Sequence, residues 1–206
     1  MEATSQATKG PARSQTAEAL LDAAERLLVD VGHAGISTRR LAAEAGVNQG
    51  LVHYYFGSVD EVFVQVLERF TARLIERQRE MYAADIPFVE KWRTAWRFQE
   101  DDIETGYSKI WMELQALSWS HPDLRPRIAR VNAEWRGVLR DAFQRAAEEY
   151  GLDPDAFPVD VLVALMMTFG QGYAVERLEG VEEGHAELLA WVDGWLEGLE
   201  DTRRKA

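Results

Sequence analysis

Apolar residues recur every three or four positions through much of the chain, which is the spacing expected of amphipathic α-helices. Between residues 15 and 31 this stripe consists of Leu20, Ala24, Leu27, Leu28 and Val31. A longer stripe begins after Ser58–Glu61, whose S-x-x-E sequence is typical of a helix N-terminus, and continues to about Ala83. The helical pattern persists to the C-terminal part of the chain, so the sequence predicts an all-α protein.

Two short helices joined by a tight turn are predicted between Leu41 and Phe56. Gly46 ends the first helix, because glycine adopts a left-handed backbone without steric cost. Asn48 is a suitable N-cap for the second helix, whose inward stripe includes Val52. The residues left on the outside are Gln49, Gly50, His53 and Tyr54. Polar side chains on an exposed second helix are typical of a helix-turn-helix that reads base edges in the major groove.

Residues 88 to 150 are also helical in pattern and are rich in aromatic side chains. His121-Pro122-Asp123 predicts a break between two helices, and residues 151–158 form a predicted loop. The aromatic residues either form an ordinary core or line an apolar pocket with a few polar groups, the usual composition of a small-molecule site. Under the pocket hypothesis, the ligand-binding residues are Trp92, Trp96, Tyr107, Trp111, Gln115, Asn132, Phe143, Met166 and Tyr173.

The last two predicted helices, at about 159–177 and 184–200, carry apolar residues suited to association. The first is apolar on all sides, so it must bury both of its faces. Two such helices from each chain would form a four-helix bundle across a two-fold axis, whereas the alternative is packing within one chain. The predicted dimerisation residues are Leu162, Leu165, Phe169, Leu188, Val192, Trp195, Leu196 and Leu199.

Length and composition are those of an intracellular globular protein. With 206 residues, of which 47% are hydrophobic, the chain can form one or two domains with a full core. It has no cysteine, which is compatible with the reducing cytoplasm. Its first residues lack the apolar segment of a signal peptide, and no apolar run approaches the about 20 residues that span a bilayer.

The net charge of −12 argues at first sight against binding to nucleic acid. The acidity is unevenly distributed, however. Residues 1–57 carry five cations and six acids, whereas the remaining residues carry 18 cations and 29 acids. The sequence therefore predicts a modest electrostatic attraction to DNA and a dependence of binding on dimerisation.

The sequence gives no positive support for an enzyme. Its four histidines are isolated, and no zinc, phosphate-loop or nucleophile-elbow motif is present. Acidic pairs such as Asp101–Asp102 adjoin helix ends and are most simply interpreted as solvated. We therefore expect no catalytic residues, no metal and no cofactor.

Several spaced segments resemble the tetracycline-repressor (TetR) family of one-component regulators. They are Thr38-Arg39-Arg40-Leu41-Ala42, Ala45-Gly46-Val47, and Tyr55-Phe56-Gly57-Ser58 followed by Glu61. The resemblance covers roughly residues 14 to 75. The family usually has Tyr at the position of His53, which bears on the operator sequence, and Lys at the position of Val59, which removes an expected phosphate contact.

The resemblance implies that Thr38 and Tyr55 contact phosphates and that Arg39 contacts a base. The predicted base-reading set is completed by Gln49, Gly50 and His53, with Leu51 placed to touch a thymine methyl group. The full set of predicted DNA-binding residues is Thr38, Arg39, Asn48, Gln49, Gly50, Leu51, His53, Tyr54 and Tyr55.

The sequence predicts a disordered tail at residues 1–13, a helix-turn-helix domain at 14–57, and a helical ligand-binding and dimerisation domain at 58–206. The helix from Ser58 to about Ala83 would join the two domains. Phe63, Val66 and Phe70 are expected to pack on the helix-turn-helix. A ligand that tilts this helix would then change the separation of the two recognition helices in a dimer.

Two hypotheses of function follow. The first is a ligand-responsive, cytoplasmic regulator, interpreted as a repressor, which binds a palindromic double-stranded DNA operator as a homodimer and is released by a small hydrophobic or aromatic effector. The second is an all-helical small-molecule-binding protein or enzyme in which the N-terminal helices are only a packing module. Joint exposure of Arg39, Gln49, His53 and Tyr54 would favour the first.

Overall fold

The computed structural model describes residues 11–205, with side chains described from residue 15 onward. In this range the chain contains no strand and confirms the predicted all-α fold. Its helices are α1 (Pro11–Val31), α2 (Thr38–Glu44), α3 (Gly50–Phe56), α4 (Val59–Ala83), α5 (Phe88–Glu104), α6 (Tyr107–Ser120), α7 (Arg125–Tyr150), α8 (Val159–Glu179) and α9 (His185–Lys205). None of these described helices is long and apolar enough to cross a lipid bilayer.

The chain divides into two compact units between Arg69 and Phe70, which are neighbouring residues of α4. This division differs from the expected boundary after Gly57, because the first part of α4 groups with α1 to α3. Of the predicted disordered tail, residues 1–10 lie outside the described residues. Residues 11–13 are helical and open α1, where Pro11 fits because the first helical position needs no backbone N–H donor.

The turn between α2 and α3 has the predicted chemistry. Gly46 has a φ of 67°, a left-handed conformation. Its N–H donates to the carbonyl of Ala43, and the N–H of Val47 donates to the carbonyl of Ala42. These paired bonds satisfy the last carbonyl groups of α2 and fix the direction in which the chain enters α3.

Serine caps fix the starts of α2 and α4. Ser37 Oγ accepts the backbone N–H of Arg40 at 3.2 Å, and Ser58 Oγ accepts that of Glu61 at 3.1 Å. Such caps satisfy N–H groups that have no partner within the helix. Both predicted helix starts are therefore confirmed.

An ionic cluster ties α4 to α1 within the first unit. Arg69 Nη1 lies 2.7 Å from Asp22 and 3.1 Å from Glu18, and its Nη2 lies 2.7 Å from Glu25. The three acids lie on one face of α1 because they are spaced four and three residues apart. We call these four residues the Arg69 cluster.

The second unit contains the C-terminal part of α4 and helices α5 to α9. A buried cluster joins four of these helices through Ile75, Tyr82, Phe88, Trp92, Val138 and Leu196. Phe70 belongs to this unit and stacks on Tyr107 with ring centroids 5.3 Å apart. The expectation that Phe70 packs on the helix-turn-helix stays a prediction.

Candidate functional site

The outer surface of α2 and α3 presents the predicted polar side chains to solvent. Arg39, Gln49, His53 and Tyr54 are all exposed, whereas Val52 on the opposite side of α3 is fully buried. Arg39 forms no side-chain ion pair or hydrogen bond with any residue that the structure describes. A guanidinium and an amide left exposed on this surface are suited to bidentate contacts with guanine and adenine.

Asn48 and Gly50 form the start of the recognition helix α3. Asn48 Oδ1 accepts the backbone N–H of Gly50 at 2.8 Å, as predicted for a helix cap. Gly50 itself has no positive φ, so the backbone conformation does not require glycine there. A Cβ at this position would lie 3.3 Å from Asn48 Oδ1, a tight contact. The absence of a side chain instead leaves the backbone of α3 open to close approach.

His53 makes a hydrogen bond that sequence reasoning did not predict. Its Nδ1 lies 2.9 Å from the carbonyl oxygen of Gly57, one turn further along the chain. Because a carbonyl oxygen only accepts, Nδ1 carries the proton, and the neutral ring then has an acceptor at Nε2. The bond also anchors the exposed imidazole to the C-terminal end of α3.

The remaining predicted DNA-binding residues lie at the edge of the exposed surface. Thr38, Leu51 and Tyr55 are half-buried. The rings of Tyr54 and Tyr55 pack edge to face with centroids 5.1 Å apart, so each limits the movement of the other. Arg40 was not among the predicted DNA-binding residues, and its Nη1 donates to the carbonyl of Gly35 at 3.3 Å.

The second unit contains a cavity of ≈ 180 Å³ that is partly open to solvent. Six of the predicted ligand-binding residues line it: Trp92, Trp96, Tyr107, Trp111, Phe143 and Met166. Sequence reasoning missed the contribution of α4, which supplies Phe70, Thr71, Leu74, Gln78 and Tyr82. Other lining residues that it missed include Gln99, Asp102, Ser108, Trp135 and Gln171.

Three of the predicted ligand-binding residues lie elsewhere. Gln115 and Asn132 line a separate groove beside Trp119 on α6 and α7. Tyr173 is buried outside the cavity lining, where it bonds Glu100 and packs edge to face on Trp96. One-dimensional spacing placed all three on helices that border the cavity but could not fix the direction in which each side chain points.

Asp102 is an ionisable group in the cavity wall, and its negative charge is balanced by the neighbouring Arg77. Its Oδ2 lies 2.7 Å from Arg77 Nη2, and the Arg77 guanidinium lies 4.1 Å from the centroid of the Phe98 ring. Burial raises the pKa of Asp102, although the Arg77 pairing acts in the opposite direction. The prediction that Asp102 is solvated was wrong, because Arg77 of α4 compensates its burial.

Helices α8 and α9 expose apolar side chains that a single chain leaves uncovered. Val161 and Leu165 of α8 are 60% and 61% exposed, and Trp191 of α9 is 72% exposed. We call the group of exposed apolar residues Val161, Leu165, Leu188, Trp191 and Trp195 the α8/α9 face. It includes three of the predicted dimerisation residues, and Val161 and Trp191 were missed.

The other predicted dimerisation residues are buried or half-buried within the single chain. Leu196 is only 4% exposed and belongs to the buried cluster, against which Val192 and Leu199 also pack. Phe169 packs on Trp96 with ring centroids 5.2 Å apart, and Leu162 is half-buried. Val192, Leu196 and Leu199 were expected at a dimer interface, but the structure places this stripe on the chain's own core. Helix α9 has two apolar faces, and this is the one that packs inward.

Comparison with known families identifies the N-terminal region. The family model described as bacterial regulatory proteins, tetR family, matches residues 20–66, which cover most of α1, all of α2 and α3, and the start of α4. Over these residues the chain matches the TetR family. The resemblance seen in its helix-turn-helix segments is thereby confirmed.

Two curated relatives of this chain are named as transcriptional regulators. The chain is 28% identical over 127 residues to HTH-type transcriptional regulator BetI 1 of Chromohalobacter salexigens, a match covering 56% of this chain and 58% of that protein. It is 22% identical over 186 residues to HTH-type transcriptional repressor AcnR of Corynebacterium glutamicum, covering 90% of this chain and 94% of the relative.

Solved structures share the fold. The fatty acid degradation regulator FadR from Bacillus halodurans has a TM-score of 0.71 at 17% identity, covering 92% of this chain and 96% of that chain. The multidrug binding protein EbrR, solved with imidazole, has a TM-score of 0.62 at 22% identity, covering 96% and 97%. At these identities the comparison establishes the helical TetR fold alone.

Proposed function

We propose that this protein is an effector-controlled transcriptional repressor that binds a palindromic DNA operator as a homodimer. In this proposal α2 and α3 read the DNA, the cavity of the second unit takes the effector, and the α8/α9 face pairs two copies of the chain. Repression is favoured by the relative named as a repressor, AcnR. Because operator DNA is the partner, we place the protein in the cytoplasm.

The observation that carries the proposal is the dual role of α4. Its residues up to Arg69 belong to the unit that contains the recognition helix, and Arg69 binds three carboxylates of α1. The next residues on the same helix, Phe70 and Thr71, line the cavity, as do Leu74 and Gln78. A molecule that fills the cavity therefore contacts the helix that anchors the DNA-binding unit.

We assign base reading to Arg39, Gln49 and His53, with Gly50 allowing the backbone to approach the bases. Arg39 is suited to guanine and Gln49 to adenine, since each can form two hydrogen bonds to one base edge. Leu51 is assigned to a thymine methyl group. Thr38, Tyr54 and Tyr55 are assigned to phosphates, which position the protein without reading sequence.

Dimerisation is supported by the α8/α9 face. An exposed group of large apolar side chains on a folded chain is typical of an association surface. A dimer with two-fold symmetry presents two recognition helices to two half-sites, which lie roughly 34–36 Å apart on DNA. Dimerisation would also offset the weak attraction expected of a protein whose net charge is −12.

The experiment that tests the proposal is selection of binding sites from randomised double-stranded DNA with the purified protein. We expect an inverted repeat whose half-sites are about 10 base pairs apart, or a multiple of that spacing. The matched control is the variant with Arg39→Ala and Gln49→Ala, which should enrich no such repeat. Failure of the parent protein to enrich any repeat would overturn the proposal.

A further inference from the structure

The cavity in the second unit contains buried polar atoms that no residue of the described chain satisfies. Gln78 is 8% exposed, lines the cavity, and its Oε1 is buried without a hydrogen-bond partner among the described residues. Trp96 also lines the cavity, and its indole Nε1 is buried without a hydrogen-bond partner among the described residues. Two residues of the wall therefore carry a buried polar atom without a described partner, one an acceptor and the other a donor.

The size of the cavity limits what can fill it. An engineered apolar cavity of about 150 Å³ in another protein binds benzene. A cavity of ≈ 180 Å³ accordingly suits one substituted aromatic ring or a compact fused pair of rings. The rings of Trp92, Trp111 and Trp135 are available to stack on such a molecule or to meet it edge to face.

The charges in the wall argue against an ionic occupant. Asp102 is paired with Arg77 at 2.7 Å, so a cationic ligand would compete with a guanidinium that is already in place. An anionic ligand would meet the Asp102 carboxylate without a cation of its own among the described lining residues. Burial also raises the pKa of Tyr82, so its phenol stays neutral.

From these features we infer that the effector is a small, neutral aromatic molecule that carries both a hydrogen-bond donor and a carbonyl-type acceptor, as an aromatic carboxamide does. Gln78 Oε1 accepts from its donor, and Trp96 Nε1–H donates to its acceptor. A purely apolar ligand of the same shape would leave both polar atoms without hydrogen-bond partners, so it should bind more weakly than a ligand that satisfies them. This inference rests on the proposed function only in taking the cavity as the effector site.

Four probes that share one benzene ring test the inference by titration calorimetry on the full chain. Benzamide is neutral with a donor and an acceptor, toluene is apolar, benzamidine is cationic, and benzoate is anionic. We expect benzamide to bind most tightly of the four. Equal binding of benzamide and toluene would overturn the role of the polar atoms, and preferential binding of benzamidine would overturn the neutral class. Absence of binding by all four would overturn the inference as a whole.

Variants connect the binding to the named atoms. Gln78→Leu removes the buried acceptor and should weaken benzamide binding by about three- to tenfold, since one hydrogen bond is lost. Trp96→Phe should act in the same direction. Toluene binding to both variants should not fall below the parent level and should become tighter where the unsatisfied polar atom has been removed, which also shows that the cavity has folded. Gln144→Leu, an exposed position on α7, is the matched control and should leave both probes unaffected.

The inference would be overturned if Gln78→Leu lost the binding of toluene and benzamide together while Trp96→Phe bound both probes as tightly as the parent protein does. Operator binding separates it from the proposed function. If benzamide binds as described but leaves operator affinity unchanged, the chemistry of the cavity stands and effector control fails. If toluene binds the cavity as tightly as benzamide and both compounds release the operator at the same occupancy, effector control stands and the donor–acceptor requirement fails.

Discussion

Gln49 and Tyr55 lie close together in sequence but are assigned different tasks on DNA. Gln49→Ala removes an exposed amide and should relax sequence preference at one base pair by about 1–3 kcal/mol. Tyr55→Phe should weaken binding to every sequence alike, because a phosphate contact is the same at all sites. Competition between the selected operator and its single-base variants measures both effects. Parent-level binding and selectivity in both variants would show the assignment to be wrong.

The hydrogen bond of His53 sets what its ring can read. With Nδ1 donating to Gly57, Nε2 is the acceptor, and the matching donors in the major groove are adenine N6 and cytosine N4. We expect selected operators to carry adenine or cytosine at one position of each half-site, and His53→Leu to lose that preference. Operators selected with the variant provide the measurement, and an unchanged preference at every position would exclude base reading by His53.

At the scale of single residues, sequence reasoning succeeded where the reason is local. Gly46, Asn48, Ser37 and Ser58 occupy the turn and cap positions predicted for them, since their roles depend on neighbours in the chain. It failed for polar residues whose partners come from another helix. Asp102 looks solvated in isolation, and only the fold brings Arg77 of α4 beside it.

At the scale of helices, the Arg69 cluster that holds α4 to α1 can be tested by mutation. Arg69→Met should destabilise the first unit by about 1.5–3 kcal/mol, because charge-assisted hydrogen bonds are lost and three acids of α1 remain together. Arg26→Met is the control, since its ion pair with Glu44 is exposed and such pairs contribute less than about 1 kcal/mol. Urea unfolding measures both. Equal stability of the two variants would deny the Arg69 cluster a structural role.

Helix α9 shows why periodicity alone could not define the association surface. Its Leu196 stripe and its Trp191 stripe both have helical spacing, and only the tertiary fold decides which one covers the chain's own core. Helix α8 was easier to interpret, because a segment that is apolar on all sides needs partners on both. Helix positions were therefore predictable from the sequence, whereas the direction of each apolar face was not.

At the scale of the whole molecule, association through the α8/α9 face is testable with a pair of equally exposed tryptophans. Trp191 of α9 is 72% exposed and Trp119 of α6 is 71% exposed. Trp191→Glu should yield a folded monomer with strongly reduced operator affinity, whereas Trp119→Glu should remain dimeric. Light scattering at micromolar concentration gives the oligomeric state, and circular dichroism verifies the fold. A monomeric parent protein, or a dimeric Trp191→Glu variant, would contradict the proposal.

In the proposed mechanism, effector control is a property of the complete dimer, and its strength can be bounded. Coupling between two sites is typically about 1–3 kcal/mol, which corresponds to roughly a 5–150-fold change in affinity. Because α4 contributes Phe70, Thr71 and Gln78 to the cavity wall and Arg69 to the DNA-binding unit, a bound effector needs only to favour one position of this helix over another. No large rearrangement of either unit is required.

Thermodynamic reciprocity provides the decisive measurement. If an aromatic carboxamide lowers operator affinity by a given factor, the operator must lower the affinity for that compound by the same factor. Both factors follow from titrations of the full chain, with intrinsic fluorescence of Trp96 and Trp111 in the cavity wall reporting occupancy. Gln78→Leu should shift the effector concentration needed for release without changing the affinity of the effector-free protein for its operator. Binding of the compound with an unchanged operator affinity would refute control through α4 and leave the DNA-binding assignment standing.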